Sequence, residues 1–316
     1  MITMTLNCRG LASLPKKLAV RRLIDEHLID VLFLQETMCG GELLVSKMES
    51  MNHGWKFLSV DAKGKSRGLL LGWRMRPFHL INAWDFGSSL CALLHSVELK
   101  MTIVCINFYG PYVDREFFWI NLFKMECLLS SKLILGGDLN FSVGLSEIWG
   151  DKARVDNLSD FFIRQMEDAS LVDIAPTILL PTWNNQRVGC ENIYKRLARF
   201  LLSSGFLDLH LHFRQWIGSG GDSDHNPDFM QFLTKESRPR SPFKFNASWL
   251  EDEDFVALLK STWIGFSDNL EISPAAHFTS NLNKIKEVSI SWLVTKKLQE
   301  DKDLVDIEFS LADLHK

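Results

Sequence analysis

Short runs of apolar residues, separated by polar turns, recur along the first 230 residues of the chain. The opening alternates Ile2, Met4 and Leu6 with polar residues, a period of two that predicts a strand with one buried face. Eleven further runs predict strands, at about 31–37, 55–60, 68–73, 78–84, 89–99, 101–110, 132–140, 171–176, 182–186, 194–203 and 209–217, and a last one at 226–233. Several of these runs are close in sequence, which favours antiparallel neighbours.

A helical spacing of apolar residues occurs in only a few places between these runs. It predicts helices at about 15–27, 114–130 and 158–168. Because strands outnumber helices and both are mixed from end to end, the pattern indicates a layered α/β or α+β fold, with sheets packed face to face and helices outside.

The pattern changes after residue 234. The segment "TKESRPRSP" is charged and rich in proline, which is typical of a linker. We predict a compact domain at 1–234, a linker at 235–246 and a helical connector at 247–316, with helices near 248–263 and 275–302.

Composition and charge limit the choice of partners. The net charge of −4 and the isoelectric point of about 6.2 argue that any contact with nucleic acid is local. The six cysteines form no Cys-x-x-Cys pair, which indicates thiols in a reducing, intracellular compartment. Neither a signal peptide nor an uncharged apolar window of about 18 residues is evident, so we expect no membrane contact.

Acidic and amide side chains follow several of the predicted strands. Residues two apart on an extended segment face the same side, so the Asp-x-Asn spacing of 138 and 140 places an acid and an amide together. Such side chains, with a histidine, suit a hard cation and a phosphate. The residues concerned are Asn7, Glu36, Asp138, Asn140, Asp224 and His225.

Each of these residues also has a purely structural interpretation. An Asp or Asn after a strand is commonly a turn former. Glu36 could stand at the start of a helix, where an acid is favourable. Asp224 and His225 could be an ordinary surface pair. Their order along the chain is what favours a shared site.

That order, Asn, Glu, Tyr, Asp-x-Asn and Ser-Asp-His, resembles the endonuclease/exonuclease/phosphatase family, over about Met1 to Leu233. The resemblance implies a four-layer αββα sandwich of two packed mixed or antiparallel sheets, here followed by a helical extension. It also implies Mg²⁺ as cofactor, with Mn²⁺ as a substitute.

The resemblance assigns roles to individual residues. Asp138 and Asn140 would orient the attacking water and hold the phosphate, and Glu36 would bind the metal. Tyr109 would contact the phosphate, unless it is only a half-buried aromatic at a strand end. Three others complete the set: Asn7 as a hydrogen-bonding support, His225 as the stabiliser of phosphate charge, and Asp224 as an assistant to the metal or the histidine.

Several segments narrow the resemblance to a subgroup. These segments are similar to the endonuclease head of plant LINE-type (non-LTR) retrotransposon polyproteins: "LNCRGL", "LQET", "FYGP", "GDLN", "PTWNNQ", "SDHNP" and "PFKFNASWL". In those elements the head nicks target DNA and a downstream reverse transcriptase primes from the nick. We therefore expect DNA as partner, a nuclear location if the chain acts on DNA, and a reverse transcriptase domain in the parent polyprotein but not in this sequence.

The sequence departs from the family pattern at three positions. Arg9 stands where many relatives have an acid, although the retrotransposon subgroup commonly has Arg there. Asp228 enters "NPDFMQF" where relatives carry an apolar residue. Ala198, in "KRLARFLLSS", replaces the Asp that supports the catalytic histidine in the family. Losing such a support costs roughly 10²–10⁴ in rate, by analogy with metal sites and catalytic triads.

Other residues are candidates for contacting DNA: Arg9, Trp183, Arg187 and Arg196, together with the basic residues Lys63, Lys65, Arg67, Lys195 and Arg199. Basic loops beside a phosphate-cleaving edge would steer DNA. The basic residues could equally be solvated charge on hairpins, and Trp183 could be a core residue. His210 and His212 are more typical of an exposed strand than of a metal site.

Two main functions follow from the sequence. The first is a Mg²⁺-dependent phosphodiesterase, a DNA-nicking endonuclease derived from a LINE-type retrotransposon and weakened by Ala198. The second is an inactive retroelement remnant that at most binds DNA or a protein. A phosphatase for inositol lipids or small phosphate esters is a third, less favoured because the subgroup segments point to DNA.

Overall fold

A computed structural model describes residues 1–61, 68–125, 132–151, 153–209, 211–219, 223–233, 245–263 and 273–314. The chain divides into two compact units, Met1–Arg238 and Pro239–Lys316. Most of the predicted linker lies outside the described residues.

Two six-stranded sheets form the first unit. The first sheet has the order β14-β15-β1-β2-β4-β3. Its strands are β1 (Ile2–Asn7), β2 (Val31–Gln35), β3 (Trp55–Val60), β4 (Leu69–Arg74), β14 (His212–Ile217) and β15 (Asp228–Leu233). Within it β1 and β2 are parallel and the other neighbours antiparallel.

The second sheet has the order β10-β13-β8-β7-β6-β5. Its strands are β5 (Phe78–Asp85), β6 (Ser89–Ser96), β7 (Met101–Tyr109), β8 (Leu133–Asp138), β10 (Leu171–Asp173) and β13 (Ala198–Ser203). Here β7 and β8 are the parallel pair. A small third sheet joins β9 (Ile148–Trp149), β11 (Trp183–Asn184) and β12 (Tyr194–Lys195).

Helices cover the outer faces of both large sheets. The first sheet packs on α1 (Leu14–Glu26) and α2 (Gly41–Met51), through Val20, Ile24, Leu44 and Met48. The second packs on α3 (Arg115–Phe123) and α4 (Ser159–Asp168), through Trp119 and Phe162. A short helix, α5 (Ser204–Leu207), follows β13, and 3₁₀ turns occupy Leu145–Glu147, Gly189–Glu191 and Ala247–Glu251.

The central core lies between the two sheets. Alternate residues of facing strands meet there, among them Phe33, Leu71, Ile134, Phe200 and Met230, all fully buried. The layers are therefore helix, sheet, sheet and helix, and the predicted four-layer αββα sandwich is confirmed.

Some elements differ from the sequence prediction. The helix α2 was not predicted, although Leu44 and Met48 have the i, i+4 spacing of its buried face. The helix predicted to reach residue 130 ends at Phe123, and residues 126–131 lie outside the described part. Neighbouring runs do pair antiparallel in β3–β4 and β5–β6–β7, but β4 and β5 belong to different sheets.

The second unit is helical, with α6 (Glu253–Thr262) and α7 (Pro274–Leu314). The Asp252 carboxylate accepts a hydrogen bond from the Phe255 amide at 3.0 Å and so caps α6. Phe255 packs against Trp292 of α7, with ring centroids 4.4 Å apart. None of the described helices is long and apolar enough to cross a membrane.

Candidate functional site

The carboxyl ends of four strands meet at one edge of the sandwich. Asn7 ends β1 and Asp138 ends β8, while Glu36 follows β2 and Tyr109 ends β7. Because β1 and β2 are parallel, and β7 and β8 are parallel, each sheet brings two of these ends together. The edge at the carboxyl ends of parallel strands is where open α/β sheets commonly bind ligands.

Asn7 joins the two sheets at this edge. Its Nδ2 donates to Glu36 Oε1 at 3.1 Å and to Asp138 Oδ2 at 2.9 Å. Its side chain is buried, and both acceptors are carboxylates from different sheets. The amide therefore fixes the separation of two acids that would otherwise repel each other.

Asp138 and Asn140 form a second connected pair. The Asn140 amide N–H donates to Asp138 Oδ1 at 2.8 Å. The Asn140 side chain donates from Nδ2 to the Gly110 carbonyl at 2.5 Å and accepts from the Tyr112 hydroxyl at 3.0 Å. Asp138 is completely buried, and each of its oxygens accepts a hydrogen bond from the protein, Oδ1 from Asn140 and Oδ2 from Asn7.

Tyr109 donates its hydroxyl hydrogen to Glu36 Oε1 in a short hydrogen bond. Burial, reinforced by this hydrogen bond, raises the pKa of Tyr109 well above its usual range. The phenol consequently stays protonated and remains a donor at any physiological pH.

Asp224 and His225 approach the same edge from the loop before β15. Asp224 Oδ2 accepts from Trp183 Nε1 at 3.0 Å and from Arg9 Nη1 at 2.7 Å. His225 Nδ1 lies 3.6 Å from Asp138 Oδ2, which is too long for a hydrogen bond, and has no partner among the described residues. Burial lowers the pKa of His225, so the imidazole is neutral at pH 7.

Ala198 is connected to the loop of this histidine through Asp138 and Thr182. It is the register partner of Asp138 across β13 and β8. Thr182 connects its strand to the histidine loop, since Thr182 Oγ1 accepts from the Ala198 amide at 2.9 Å and the Thr182 carbonyl accepts from the Asn226 amide at 2.8 Å. Position 198 therefore carries a methyl group on the strand residue opposite Asp138, the acid that lies 3.6 Å from His225 Nδ1.

Backbone conformation at the edge is unusual. Arg9, Glu36 and Asn140 have φ angles of 43°, 52° and 62°, in the left-handed region that L residues other than Asn and Asp seldom adopt. Such conformations cost about 1–3 kcal/mol each and cluster at functional sites.

Two oxygens at the edge could still accept a cation. Asp224 Oδ1 is buried with no hydrogen-bond partner among the described residues, and Glu36 Oε2 lies 3.9 Å from Arg9 Nε. Mg²⁺ typically takes one or two carboxylates and completes its shell with water and phosphate oxygens, so these donors fit it. The described residues contain no group of three or more His, Cys, Asp or Glu side chains placed to hold a metal.

Arg196, predicted as a DNA contact, is buried rather than exposed. Its side chain is 3% exposed and its guanidinium pairs with Glu147 at 2.8 Å and Asp173 at 2.7 Å. Arg199 is buried in the same network. An apolar strand end can accept two arginines because two carboxylates neutralise them.

The other predicted contact residues lie at or near the surface. Arg187 is exposed, on the segment between β11 and β12, where it pairs with Glu191 at 3.7 Å. Trp183 is half-buried, with its N–H on Asp224. Arg9 is half-exposed and contacts Asp224. Lys63, Lys65, Arg67 and His210 lie outside the described residues.

Sequence reasoning missed several supporting residues. Ser223 Oγ donates to the Asn7 carbonyl at 3.0 Å and accepts from the His225 amide at 3.2 Å. Asn107 ties the sheets together, because its Nδ2 donates to the Leu34 and Leu70 carbonyls at 2.9 and 3.0 Å. The signal for Asn107 was a lone amide in an otherwise apolar strand.

The sequence matches the model of the Endonuclease/Exonuclease/phosphatase family over residues 4–225. A match over this much of the chain, with the layered sandwich and the polar strand ends in place, means that the chain belongs to this family. A comparison with curated proteins found no match.

Solved structures share the fold at low sequence identity. The endonuclease domain of TRAS1, a telomere-specific non-LTR retrotransposon, is 16% identical with a TM-score of 0.57, covering 74% of this chain and 99% of that one. The AP endonuclease LMAP from Leishmania major is 18% identical with a TM-score of 0.58, covering 74% and 87%. An AP endonuclease from Archaeoglobus fulgidus is 15% identical with a TM-score of 0.57, covering 73% and 99%.

Proposed function

We propose that this chain is a Mg²⁺-dependent phosphodiesterase that nicks DNA, derived from a LINE-type retrotransposon and weakened by Ala198. The observation that carries the proposal is the convergence of Glu36 and Asp138 on Asn7 at one edge of the sandwich, with Asn140 and His225 beside Asp138. This combination of acids, amides and an imidazole suits attack of water on a phosphodiester.

DNA is the proposed substrate for two reasons. The sequence segments resemble retrotransposon endonuclease heads, and similar solved structures include a retrotransposon endonuclease domain and AP endonucleases. The exposed Arg187 and the half-exposed Arg9 and Trp183 would contact the phosphate backbone locally, which agrees with the acidic net charge. In the parent polyprotein a reverse transcriptase domain would use the nick.

The residues would divide the chemistry as follows. Glu36 Oε2 and Asp224 Oδ1 would hold the metal, which when bound supplies positive charge to the phosphate and the leaving oxygen. Asp138 would orient and deprotonate the attacking water, since each of its oxygens accepts one hydrogen bond and retains a lone pair. The second hydrogen of Asn140 Nδ2 would donate to a phosphate oxygen, and Tyr109 would keep Glu36 in place.

His225 explains the proposed loss of rate. A neutral imidazole donates one hydrogen bond to a phosphate but brings no charge, and burial keeps this imidazole neutral. A carboxylate at position 198 would fix its tautomer and favour the charged form. Its absence, with Nδ1 unpartnered among the described residues, costs roughly 10²–10⁴ in rate on the precedents of metal sites and catalytic triads.

An inactive remnant that at most binds DNA or protein is the second candidate, and a specific observation favours it. The described part of the chain carries buried polar atoms without hydrogen-bond partners at His225 Nδ1 and Asp228 Oδ1. Buried unpaired polar atoms each cost about 1–3 kcal/mol, so they accumulate where selection on a site is relaxed.

Nicking of supercoiled plasmid by the purified chain, with Mg²⁺, Mn²⁺ or EDTA, distinguishes the two candidates. We expect weak metal-dependent nicking, raised roughly 10²-fold or more by Ala198→Asp and abolished by Asp138→Ala. Ala198→Asn is the matched control, because it adds the same volume without the charge. An Ala198→Asp variant that folds and stays inactive would establish the remnant.

A further inference from the structure

A positively charged side chain already lies on the two carboxylates that could bind a metal. Arg9 Nη1 donates to Asp224 Oδ2 at 2.7 Å, and Arg9 Nε lies 3.9 Å from Glu36 Oε2. We propose that the Arg9 guanidinium acts as a resident cation that bridges Glu36 and Asp224, and that a divalent metal binds to these two acids in competition with it. This inference rests on the proposed metal site and adds a competitor to it.

The contacts of Glu36 and Asp224 indicate that Arg9 competes with a metal for these acids and is not needed to hold them in position. Both carboxylates have other anchors: Asp224 is held by Trp183 Nε1 at 3.0 Å, and Glu36 by Asn7 Nδ2 at 3.1 Å and by the Tyr109 hydroxyl. Neither acid needs Arg9 to keep its position. If Arg9 were removed, the two acids would stay in place and lose only their counter-charge.

The backbone of Arg9 is fixed while its side chain can move. The Arg9 amide donates to Asn7 Oδ1 at 3.1 Å, and Lys16 Nζ donates to the Arg9 carbonyl at 2.6 Å. The side chain is 47% exposed, whereas those of Glu36 and Asp224 are 10% and 15% exposed. A half-exposed guanidinium can rotate into solvent or onto a DNA phosphate, which would free the carboxylates for a metal.

The size of the competition follows from the charges involved. A unit positive charge about 4 Å from a cation site at the protein surface opposes binding by an amount that corresponds to at least a tenfold change in affinity. Substrate DNA would reduce this penalty, because a phosphate gives Arg9 another partner. Metal and DNA should therefore bind cooperatively.

The test measures metal binding without any reaction. Free Mn²⁺ is titrated by electron paramagnetic resonance against the wild-type chain, Arg9→Gln and Arg22→Gln, the last being an exposed α1 residue with the same charge change. We expect Arg9→Gln to bind Mn²⁺ at least about tenfold more tightly than wild type, and Arg22→Gln to be unchanged. The double variant Arg9→Gln/Asp224→Asn should lose the gain.

A repeat at about 0.5 M KCl distinguishes direct occupation from a long-range field, which salt screens. A gain that persists supports occupation of the site. A gain that disappears at high salt, or equal or weaker binding by Arg9→Gln, would overturn the proposal. Tighter Mn²⁺ binding by Arg9→Gln with no plasmid nicking would contradict the proposed function but not this inference. Plasmid nicking with unchanged Mn²⁺ binding would contradict this inference but not the proposed function.

Discussion

At the scale of single residues, the site depends on one amide. Asn7 donates from a single nitrogen to Glu36 and Asp138, which belong to different sheets. The Asn140 N–H and the Tyr109 hydroxyl add further hydrogen bonds to the same two carboxylates, so both acids are held by donors from several strand ends.

The effect of Ala198 on His225 can be measured directly. Placing a carboxylate at position 198 favours the imidazolium, so Ala198→Asp should raise the pKa of His225. Histidine proton resonances followed by NMR against pH report this pKa. Ala198→Asn should leave it low, because burial would still dominate. An unchanged pKa in Ala198→Asp would mean that residue 198 does not reach the imidazole.

Asp228 should make stability depend on pH. Burial raises the pKa of Asp228 to about 8, whereas the unfolded chain ionises it near pH 4. Between those values the folded state binds the extra proton, so stability falls as pH rises, by up to about 1.4 kcal/mol per pH unit, and the fall ends near pH 8. Asp228→Asn removes this dependence and keeps an acceptor for Gln215 Nε2, which lies 2.6 Å from Asp228 Oδ2.

Urea unfolding of wild type and Asp228→Asn at pH 5.5, 7 and 8.5 tests this expectation. The variant should gain stability relative to wild type as pH rises. Parallel pH profiles for the two proteins would show that Asp228 is not protonated in the folded state.

The sequence predicted the polar residues of the site but not how they contact each other. Asn7, Glu36, Asp138 and Asn140 could be identified because each follows an apolar run, a local signal. Arg196 could not be placed, since its burial depends on Glu147 and Asp173, which are distant in sequence. The bond between Arg9 and Asp224 spans 215 residues and has no local signal either.

At the scale of elements, β8 requires small residues because other strands approach it closely. A Cβ on Gly137 would lie 2.1 Å from the Phe108 carbonyl oxygen of β7, and one on Gly136 would lie 2.7 Å from the Phe200 ring. The two glycines before Asp138 therefore allow β8 to pack between its neighbours. They set the position of the acid as well as of the strand.

Gly137→Ala should destabilise the first unit by about 1–3 kcal/mol, because the contact is with backbone that cannot rotate away. Gly144→Ala is the control, since its Cβ would meet only Ser146 Oγ at 3.7 Å. Chemical denaturation measures both. Equal stabilities would show that β7 and β8 can separate at little cost.

The sequence predicted the strands well, but it did not predict which of the two sheets each strand joins. Alternation and apolar runs identified nearly every strand of the two sheets because period two is a local property. Which sheet a strand joins depends on long-range pairing: β1 pairs with β15, at the other end of the first unit. The helix α2 was missed because its glycine start and its serine weakened the helical pattern.

At the scale of the whole molecule, the chain has two compact units with separate aromatic clusters. In the first, Phe162 is fully buried and packs on Trp119 with ring centroids 4.8 Å apart. In the second, Phe255 is fully buried and packs on Trp292 at 4.4 Å. Units with separate cores are expected to unfold as separate cooperative transitions.

Scanning calorimetry of the full chain should therefore show two transitions that respond to different substitutions. Phe255→Leu, which costs about 1 kcal/mol, should lower one transition by about 4–8 °C, because the smaller unit has the smaller unfolding entropy. Phe162→Leu should lower the other by only about 2–4 °C at similar cost. Each variant is the control for the other. A single transition that both substitutions lower equally would mean that the two units unfold as one, and that the helical extension is energetically part of the sandwich.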